Sequence, residues 1–239
     1  MSILLALTLI VLFGFLAAIP QDPSYHDFAP STLQSSNIPN TLNVLTNIPF
    51  AIVGLYGLIF CLRFRETFAP WSWRLFFIGI GLTSIGSAVY HWNPNDASLV
   101  WDRIPMTIAF SSLFVAMLSE LINPKLEKFL LAPLIFAGIS SVVYWHYSDD
   151  LRLYGLVQFF PLVALSLLVV IVPERFESGH FLFCALMFYI LAKIFEACDH
   201  ETWNLIGFSG HALKHLLASC STVSILFRLK KRQPMATSG

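Results

Sequence analysis

Residues 72–91 read SWRLFFIGIGLTSIGSAVYH, and this stretch decides the class of fold. It is apolar over the length that an α-helix needs to cross a bilayer, which is about 20 residues. Its one strongly charged side chain is Arg74, near the start, and the stretch closes on His91. The sequence therefore predicts a membrane-spanning helix that brings a histidine to one surface of the membrane.

Similar apolar stretches recur along the whole chain. The sequence is 56% hydrophobic and 12% charged, whereas soluble domains carry about 25% charged residues. Short connections rich in proline, asparagine, aspartate, glycine and serine separate the stretches. We predict an all-α polytopic membrane helix bundle with eight candidate spans, roughly at residues 3–19, 42–62, 72–91, 100–121, 127–145, 152–172, 181–198 and 208–228.

The first candidate span has two interpretations. Residues 1–20 end in Ala17-Ala18-Ile19-Pro20, which loosely resembles the end of a signal sequence. The segment lacks a basic start, and we therefore favour a retained N-terminal transmembrane helix. On this basis the chain divides into the N-terminal segment 1–20, a membrane domain at 21–232 and a cytoplasmic tail at 233–239.

The lysines and arginines predict the orientation, because cytoplasmic loops carry an excess of them. With eight spans, the basic residues that flank the helices fall on one side, which we assign to the cytoplasm together with both termini. They are Arg63, Arg65, Arg74, Lys125, Lys128, Arg175, Arg228, Lys230, Lys231 and Arg232. His91, Asp102 and His211 then all lie towards the outer face. The compact loops favour a bacterial inner membrane, and a net charge of zero gives no indication of a nucleic-acid partner.

The last span opens with a pair of histidines in Gly210-His211-Ala212-Leu213-Lys214-His215. On a helix, residues four apart lie on one face, which is the spacing by which two imidazoles bind one zinc ion. Two interfacial histidines bonded to water would give the same pattern. His91 is the expected third ligand and His200 an alternative one. Three histidines with an open fourth position are typical of catalytic zinc, which lowers the pKa of a bound water to about 7.

Two further polar residues fall near these histidines in the predicted bundle. Ser87 lies one turn before His91, where it either permits close helix packing or bonds to the reacting groups. Asp102 begins the next span, where it is either a partner of Arg103 and of the helix dipole or a general base or acid. A charged aspartate at membrane depth costs about 2.5–3.5 kcal/mol, which favours a functional role.

The remaining polar residues have weaker interpretations. Asn40, Asn43 and Asn47 share one helical face, and they either line the site or bond between helices. Lys193 and Glu196 are three residues apart and are expected to neutralise each other. The other histidines are expected to be solvated, namely His26, His146 and His180.

At these residues the sequence resembles the alkaline ceramidase family, within a wider group of seven-span metal hydrolases that includes adiponectin-receptor relatives. The pattern is a serine, a histidine four residues later, an aspartate eleven further on, and a late HxxxH. The resemblance covers roughly residues 37–232, and the residues that match are Ser87, His91, Asp102, His211 and His215. It implies a seven-helix core, here with one extra N-terminal helix, and zinc (Zn2+) bound by the three histidines. It also implies hydrolysis of ceramide-like N-acyl sphingoid lipids, with Asp102 activating water and Ser87 supporting the oxyanion.

The chain departs from the family pattern at the N-terminal side of the core. Eukaryotic ceramidases of this type resemble one another in an acidic calcium (Ca2+) site before the first core helix. Here that stretch carries only Asp22 and Asp27, and Asn40 stands where a glutamate is expected. The resemblance therefore does not extend to calcium.

Other classes of function are compatible with a bundle of this kind. One is a receptor-like or signalling protein with a structural zinc, although the short loops offer little surface to a partner. Another is a transporter, which typically has internal repeats and broken helices near the midplane; no repeat is visible here. The sequence leads us to expect an intramembrane zinc-dependent lipid amide hydrolase with a membrane lipid as its partner, and it does not indicate an oligomeric state.

Overall fold

The computed structural model describes residues 13–14, 16–33, 36–63, 69–171 and 177–232. These residues form α-helices and short 3-10 turns, with no strand among them, which confirms the predicted all-α fold. The helices are α1 (Thr41–Leu45), α2 (Ile48–Arg63), α3 (Pro70–Trp92), α4 (Asp96–Leu121), α5 (Leu126–Ser148), α6 (Arg152–Ile171), α7 (His180–Ala197), α8 (Asp199–Ile206) and α9 (Gly210–Lys230).

Helices that are long and apolar enough to cross a membrane match six of the predicted spans. They are Thr41–Arg63, Pro70–Trp92, Asp96–Leu121, Leu126–Ser148, His180–Ala197 and Gly210–Lys230. Helix α6 is apolar as well, but its apolar stretch Arg152–Leu168 is shorter. The predicted first span, 3–19, lies mostly outside the described residues, and the predicted tail, 233–239, lies entirely outside them.

The span predicted at 42–62 is confirmed as Thr41–Arg63, but its helix is broken near the start. Helix α1 ends at Leu45, and α2 begins at Ile48. Pro49 has no N–H to give to the carbonyl of Leu45, and its ring would collide with that carbonyl in a continuous helix. The break turns the hydroxyl and amide side chains of Thr46 and Asn47 towards the interior, where Asn47 is buried.

Two close helix crossings set the geometry of one end of the bundle. We call it the histidine end, and it is where α3 ends and where α4 and α9 begin. Helix α3 packs along α4, and a Cβ atom at Gly86 would lie only 2.0 Å from the carbonyl oxygen of Trp101. Helix α7 packs along α9, and a Cβ atom at Gly210 would lie 2.5 Å from the carbonyl oxygen of Phe195. Any larger residue at either glycine would push the paired helices apart.

The opposite end of the bundle, which we call the basic end, holds a buried ion pair. Glu120 of α4 is fully buried and accepts hydrogen bonds from Trp73 Nε1 at 2.8 Å and from Arg228 Nη1 at 2.8 Å. Arg232 also pairs with this carboxylate. Charges within a membrane protein are costly unless they are paired, and this cluster meets that requirement while tying α3, α4 and α9 together.

An irregular segment, residues 16–33, runs across the histidine end, and we call it the strap. Its backbone bonds to the connection between α5 and α6, where Ile19 O accepts from Leu151 N at 2.8 Å and Gln21 N donates to Asp149 Oδ1 at 2.9 Å. Next to this contact, the Arg152 guanidinium holds the pKa of Asp150 down at about 2. These bonds hold the strap over the bundle, although its regular secondary structure is limited to the 3-10 turn Pro23–His26.

Candidate metal centre

Three buried imidazoles meet at the histidine end. Their possible ligand atoms all lie within 4.8 Å of one another, and the side chains are those of His91, His211 and His215. The ring centroid of His91 lies 4.8 Å from that of His211 and 5.0 Å from that of His215. The structure thus brings together the three residues proposed from the sequence, and the group could hold a metal ion.

The start of α9 positions two of the three imidazoles. Ser209 is the N-cap of this helix, and its hydroxyl oxygen accepts a hydrogen bond from Ala212 N at 3.1 Å. Asp199 accepts from Ser209 Oγ and from His211 N, both at 2.9 Å, so the first turn is held on two sides. Within the helix, His211 and His215 are four residues apart and share one face.

The tautomer of His215 follows from its contact with the broken span. Thr46 Oγ1 lies 3.0 Å from His215 Nδ1 and also donates its single hydrogen to the carbonyl oxygen of Leu42 at 2.7 Å. Because that hydrogen is already used, the hydroxyl oxygen must accept a hydrogen from Nδ1. The lone pair of His215 Nε2 is then available to a cation, and the threonine orients the ring as outer groups do around metal sites.

His91 provides the direct test of whether the site fits a metal. It is fully buried, and neither of its ring nitrogens has a hydrogen-bond partner among the described residues. A buried polar atom without a partner costs about 1–3 kcal/mol, so such atoms are rare in folded proteins. A metal ion would use the lone pair of one of them, and imidazole is a preferred ligand of zinc.

Ser87 and Asp102 lie beside the histidines on the two closely crossing helices. Ser87 is buried one turn before His91, and Asp102 is buried with no partner for Oδ1 among the described residues. The missing side chain of Gly86 makes this possible, since a Cβ there would lie 3.2 Å from the Asp102 Cα. Ser87 and Asp102 therefore lie on facing helices at this crossing.

Arg103 faces away from this group. Its guanidinium lies 4.0 Å from the ring centroid of Trp145 and donates from Nη2 to Gln21 Oε1 of the strap at 2.7 Å. The ion pair between Asp102 and Arg103, which the sequence left open, is not formed within the described part of the chain. Arg103 instead fixes the strap.

The asparagines support the histidine cluster. Asn40 Nδ2 donates to the carbonyl oxygen of His91 at 3.0 Å, where α3 ends. Asn43 is fully buried, and its Oδ1 lies 3.3 Å from Ser209 Oγ, whose single hydrogen goes to Asp199. Asn47 in turn donates to the carbonyl oxygen of Asn43 at 2.7 Å. This face therefore ties the broken span to the two helices that carry the ligands.

The strap packs against the histidine cluster on the side that faces away from the bundle. The Phe28 ring centroid lies 4.8 Å from that of His91 and 4.6 Å from that of His211. His26, which was expected to be solvated, is instead held by Tyr90 Oη at 2.9 Å from Nδ1 and by Asp96 at 3.2 Å from Nε2. The backbone N–H of Ala29 donates to Asp199, which also holds α9.

The other histidine candidates do not join the centre. His200 is exposed and contacts Asp27 of the strap, with Nε2 lying 3.3 Å from the carbonyl oxygen of that residue. His146 and His180 are exposed, as expected for solvated side chains. His200 is therefore not brought to the cluster as a third ligand.

The strap residues do not form a set suited to calcium, which takes six to eight oxygen ligands. Asp22 caps a 3-10 turn by accepting from Ser24 N, and Asp27 is largely exposed beside His200. Asn40 presents an amide donor to a backbone carbonyl and so supplies no ligand in that direction. The departure from the family pattern seen in the sequence persists in the fold.

Lys214 is a residue at the site that the sequence analysis did not single out. Its Nζ lies 3.0 Å from His211 Nε2 and donates to Glu196 Oε1 at 2.7 Å. Glu196 also pairs with Lys193, as expected, but that pair is only part of a larger group. A lysine placed between two candidate ligands at membrane depth was a signal in itself, because charges there are costly.

The fold and the site together define a multi-pass helical membrane protein with a buried group of three histidines able to hold a metal ion. The Ceramidase family model matches residues 33–227, and the chain belongs to this family. Membership confirms the resemblance seen in the sequence and implies amide hydrolase activity on ceramide-type lipids in broad terms. A comparison with curated proteins gives no match.

Proposed function

We propose that this protein is an intramembrane zinc-dependent amidase that cleaves ceramide-like N-acyl sphingoid lipids into a fatty acid and a sphingoid base. The observation that carries the proposal is the buried cluster of His91, His211 and His215, together with an apolar cavity whose lining includes Phe50, a neighbour of His215. The cluster supplies the ligands of a catalytic metal, and the cavity supplies room for an acyl chain.

The cavity lies between helices of the bundle and has a volume of about 330 Å³. Its lining is almost entirely apolar and comes from α2, α3, α4, α6, α7 and α9. Phe50 belongs to the lining, and its ring centroid lies 6.5 Å from that of His215. A lipid chain inserted here would therefore hold the bond at its polar end close to the histidines.

By their helical register, the two candidate catalytic residues, Ser87 and Asp102, lie at the same end of the cavity as the histidines. Thr83 lines the cavity, and Ser87 lies one turn further along α3. Met106 lines the cavity, and Asp102 lies one turn before it on α4. Both polar side chains thus stand above the apolar lining, where the amide of a bound lipid would come to rest.

The proposed chemistry is hydrolysis of the amide. When bound to the three imidazoles, zinc supplies a Lewis acid and lowers the pKa of a coordinated water. The Asp102 carboxylate takes a proton as the water oxygen bonds to the carbonyl carbon, and it passes that proton to the amide nitrogen as the carbon–nitrogen bond breaks. Ser87 Oγ donates a hydrogen bond to the carbonyl oxygen while negative charge develops there.

We also propose that both termini lie in the cytoplasm of a bacterium and that the site faces the outer leaflet of its inner membrane. The support is the cluster of cations at the basic end, which includes Arg228, Lys230 and Lys231. A reporter enzyme active only in the periplasm, fused after residue 232, should be inactive. Activity of that fusion would reverse the orientation.

Replacement of His215 by alanine tests the function directly. We expect His215→Ala to lose bound zinc and turnover of N-lauroylsphingosine together, because one of the three ligands is removed. Metal analysis of the purified protein and chromatography of released laurate and sphingosine measure the two effects. His180→Ala is the matched control, since this histidine is exposed and remote from the cluster.

Two outcomes would contradict the proposal. Turnover by His215→Ala without bound metal would exclude the zinc-dependent mechanism. Tight zinc binding by the unchanged protein, with no turnover of any N-acyl lipid offered, would favour the receptor-like alternative with a structural zinc.

A further inference from the structure

The side chain of Lys214 is placed where a structural lysine would not be expected. Its ammonium lies against His211, 3.0 Å from Nε2, and is only 17% exposed. Lysines near membranes usually extend their ammonium towards water. This one is instead directed to the interior of the bundle, next to the candidate metal ligands.

Lys214 shares its carboxylate partner with a second lysine. Glu196 bonds to Lys214 through Oε1 and pairs with Lys193 through Oε2, so one carboxylate serves two ammonium groups. Among the described residues, Lys214 Nζ bonds only to Glu196 Oε1 and His211 Nε2. An ammonium group has three hydrogens, so at least one remains for a further acceptor.

The helical register places Lys214 over the cavity. Ala218 lines the cavity, and Lys214 precedes it by one turn on α9. Ser87 and Asp102 stand in the equivalent positions above their own lining residues, and Lys214 interacts electrostatically with Asp102. The three side chains therefore lie on three different helices around the end of the cavity that is nearest to the histidines. We call this end the mouth of the cavity.

His211 Nε2 has one lone pair, which it cannot give both to an ammonium group and to a metal ion. With a metal bound through that nitrogen, Lys214 would keep its bond to Glu196 and turn its other hydrogens towards the mouth of the cavity. The carbonyl oxygen of a substrate and the carboxylate of a released fatty acid would both lie there.

We propose that Lys214 is a further catalytic residue, which donates a hydrogen bond from its ammonium group to the carbonyl oxygen of the scissile bond and binds the carboxylate of the product. Glu196 holds the ammonium in place, and Ser87 is the second donor. This inference rests on the proposed function, because it requires an acyl carbonyl at the mouth of the cavity.

The test compares Lys214→Gln with Lys193→Gln. Both variants remove one ammonium partner of Glu196, but Lys193 is 38% exposed and has no hydrogen bond to a histidine among the described residues. We expect Lys214→Gln to retain zinc and to lose kcat for N-lauroylsphingosine by about 100-fold, the usual effect of deleting one oxyanion donor. Lys193→Gln should stay within about threefold of the unchanged protein, and Lys214→Arg should recover most of the activity by restoring the charge.

A second readout does not depend on turnover. Laurate binding to the metal-free protein, measured by calorimetry in detergent, should weaken in Lys214→Gln and remain in Lys193→Gln. Thermal unfolding of each variant shows whether the fold is kept. If Lys214→Gln is unstable, kcat and laurate affinity per folded protein are compared with those of Lys193→Gln, which loses the other ion pair of Glu196.

The outcomes separate this inference from the proposed function. If Lys214→Gln keeps zinc, kcat and laurate affinity while His215→Ala is inactive, the inference is wrong and the amidase proposal stands. If neither the unchanged protein nor any variant hydrolyses the lipid, the proposed function itself is wrong. A loss of kcat that is equal in the Lys214 and Lys193 variants would also overturn the inference, since it would reflect only the pairing of Glu196.

Discussion

Helix α4 carries two buried carboxylates at its opposite ends, and their surroundings differ. Asp102 and Glu120 lie about five turns apart, which corresponds to about 27 Å along the helix. Glu120 is enclosed by Trp73, Arg228 and Arg232, with both oxygens bonded. Asp102 is also buried, but its Oδ1 has no partner among the described residues. Burial is common to both, and only the state of their hydrogen bonds distinguishes them.

On the proposed function, this difference separates a structural carboxylate, Glu120, from a reactive one, Asp102. When donors surround a carboxylate on all sides, its lone pairs already accept hydrogen bonds within the fold. Such a carboxylate cannot accept a proton or a hydrogen bond from a substrate. A carboxylate with an unused oxygen beside three imidazoles keeps one available for a proton. The cavity runs between the two along α4, and its lining from this helix includes Met106, Leu113 and Met117.

The strongest test of the comparison is Asp102→Asn. We expect it to lower kcat by about 10²–10⁴-fold, because the amide cannot accept the proton that the carboxylate takes. Zinc content should be unchanged, since Asp102 is not among the candidate ligands. Kinetics of sphingosine release together with metal analysis measure both; an unchanged rate would remove the catalytic role of Asp102.

The companion change at the other end is Glu120→Gln. We expect a loss of about 3–5 kcal/mol in stability, because a neutral amide would face the buried guanidinium of Arg228. Unfolding in mixed micelles with increasing denaturant measures this loss. The folded fraction should keep its zinc and its specific activity, and a variant that is stable but inactive would contradict the structural role of Glu120.

A smaller effect is expected from filling the cavity between the two carboxylates with Ala218→Phe. The larger ring would occupy space that a long acyl chain needs, so turnover of long-chain substrates should fall by about 10-fold or more relative to short-chain ones. Competition between N-acyl sphingosines of different length measures this preference. Ala137→Phe is the control, because Ala137 is exposed on the outside of α5. An equal effect at both positions would argue against the cavity as the acyl site.

The spans and the histidine cluster were accessible from the sequence for simple physical reasons. A run of about 20 apolar residues has few alternatives to a membrane helix. The HxxxH spacing fixes His211 and His215 on one face. The orientation predicted from the basic residues puts His91 at the same end of the bundle as this pair. The meeting of the three rings could therefore be predicted without knowing how the helices pack.

The parts that were missed depend on contacts between residues distant in the chain. The strap has no periodicity, so nothing in its residues indicates that Gln21 reaches Arg103 or that Phe28 reaches the histidine rings. The bond from Asn40 to the end of α3 joins residues separated by 51 positions. In contrast, the break before Pro49 and the buried charge of Lys214 each left a local signal.

The position of Phe28 has a consequence for how activity would have to be measured. Because Phe28 of the strap packs on the rings of His91 and His211, the proposed function would require a lipid to enter the cavity from the side, between helices. The quantity that governs saturation is then the mole fraction of substrate within the bilayer or micelle, and diluting the assay with inert detergent would slow the reaction even at a fixed bulk concentration of lipid.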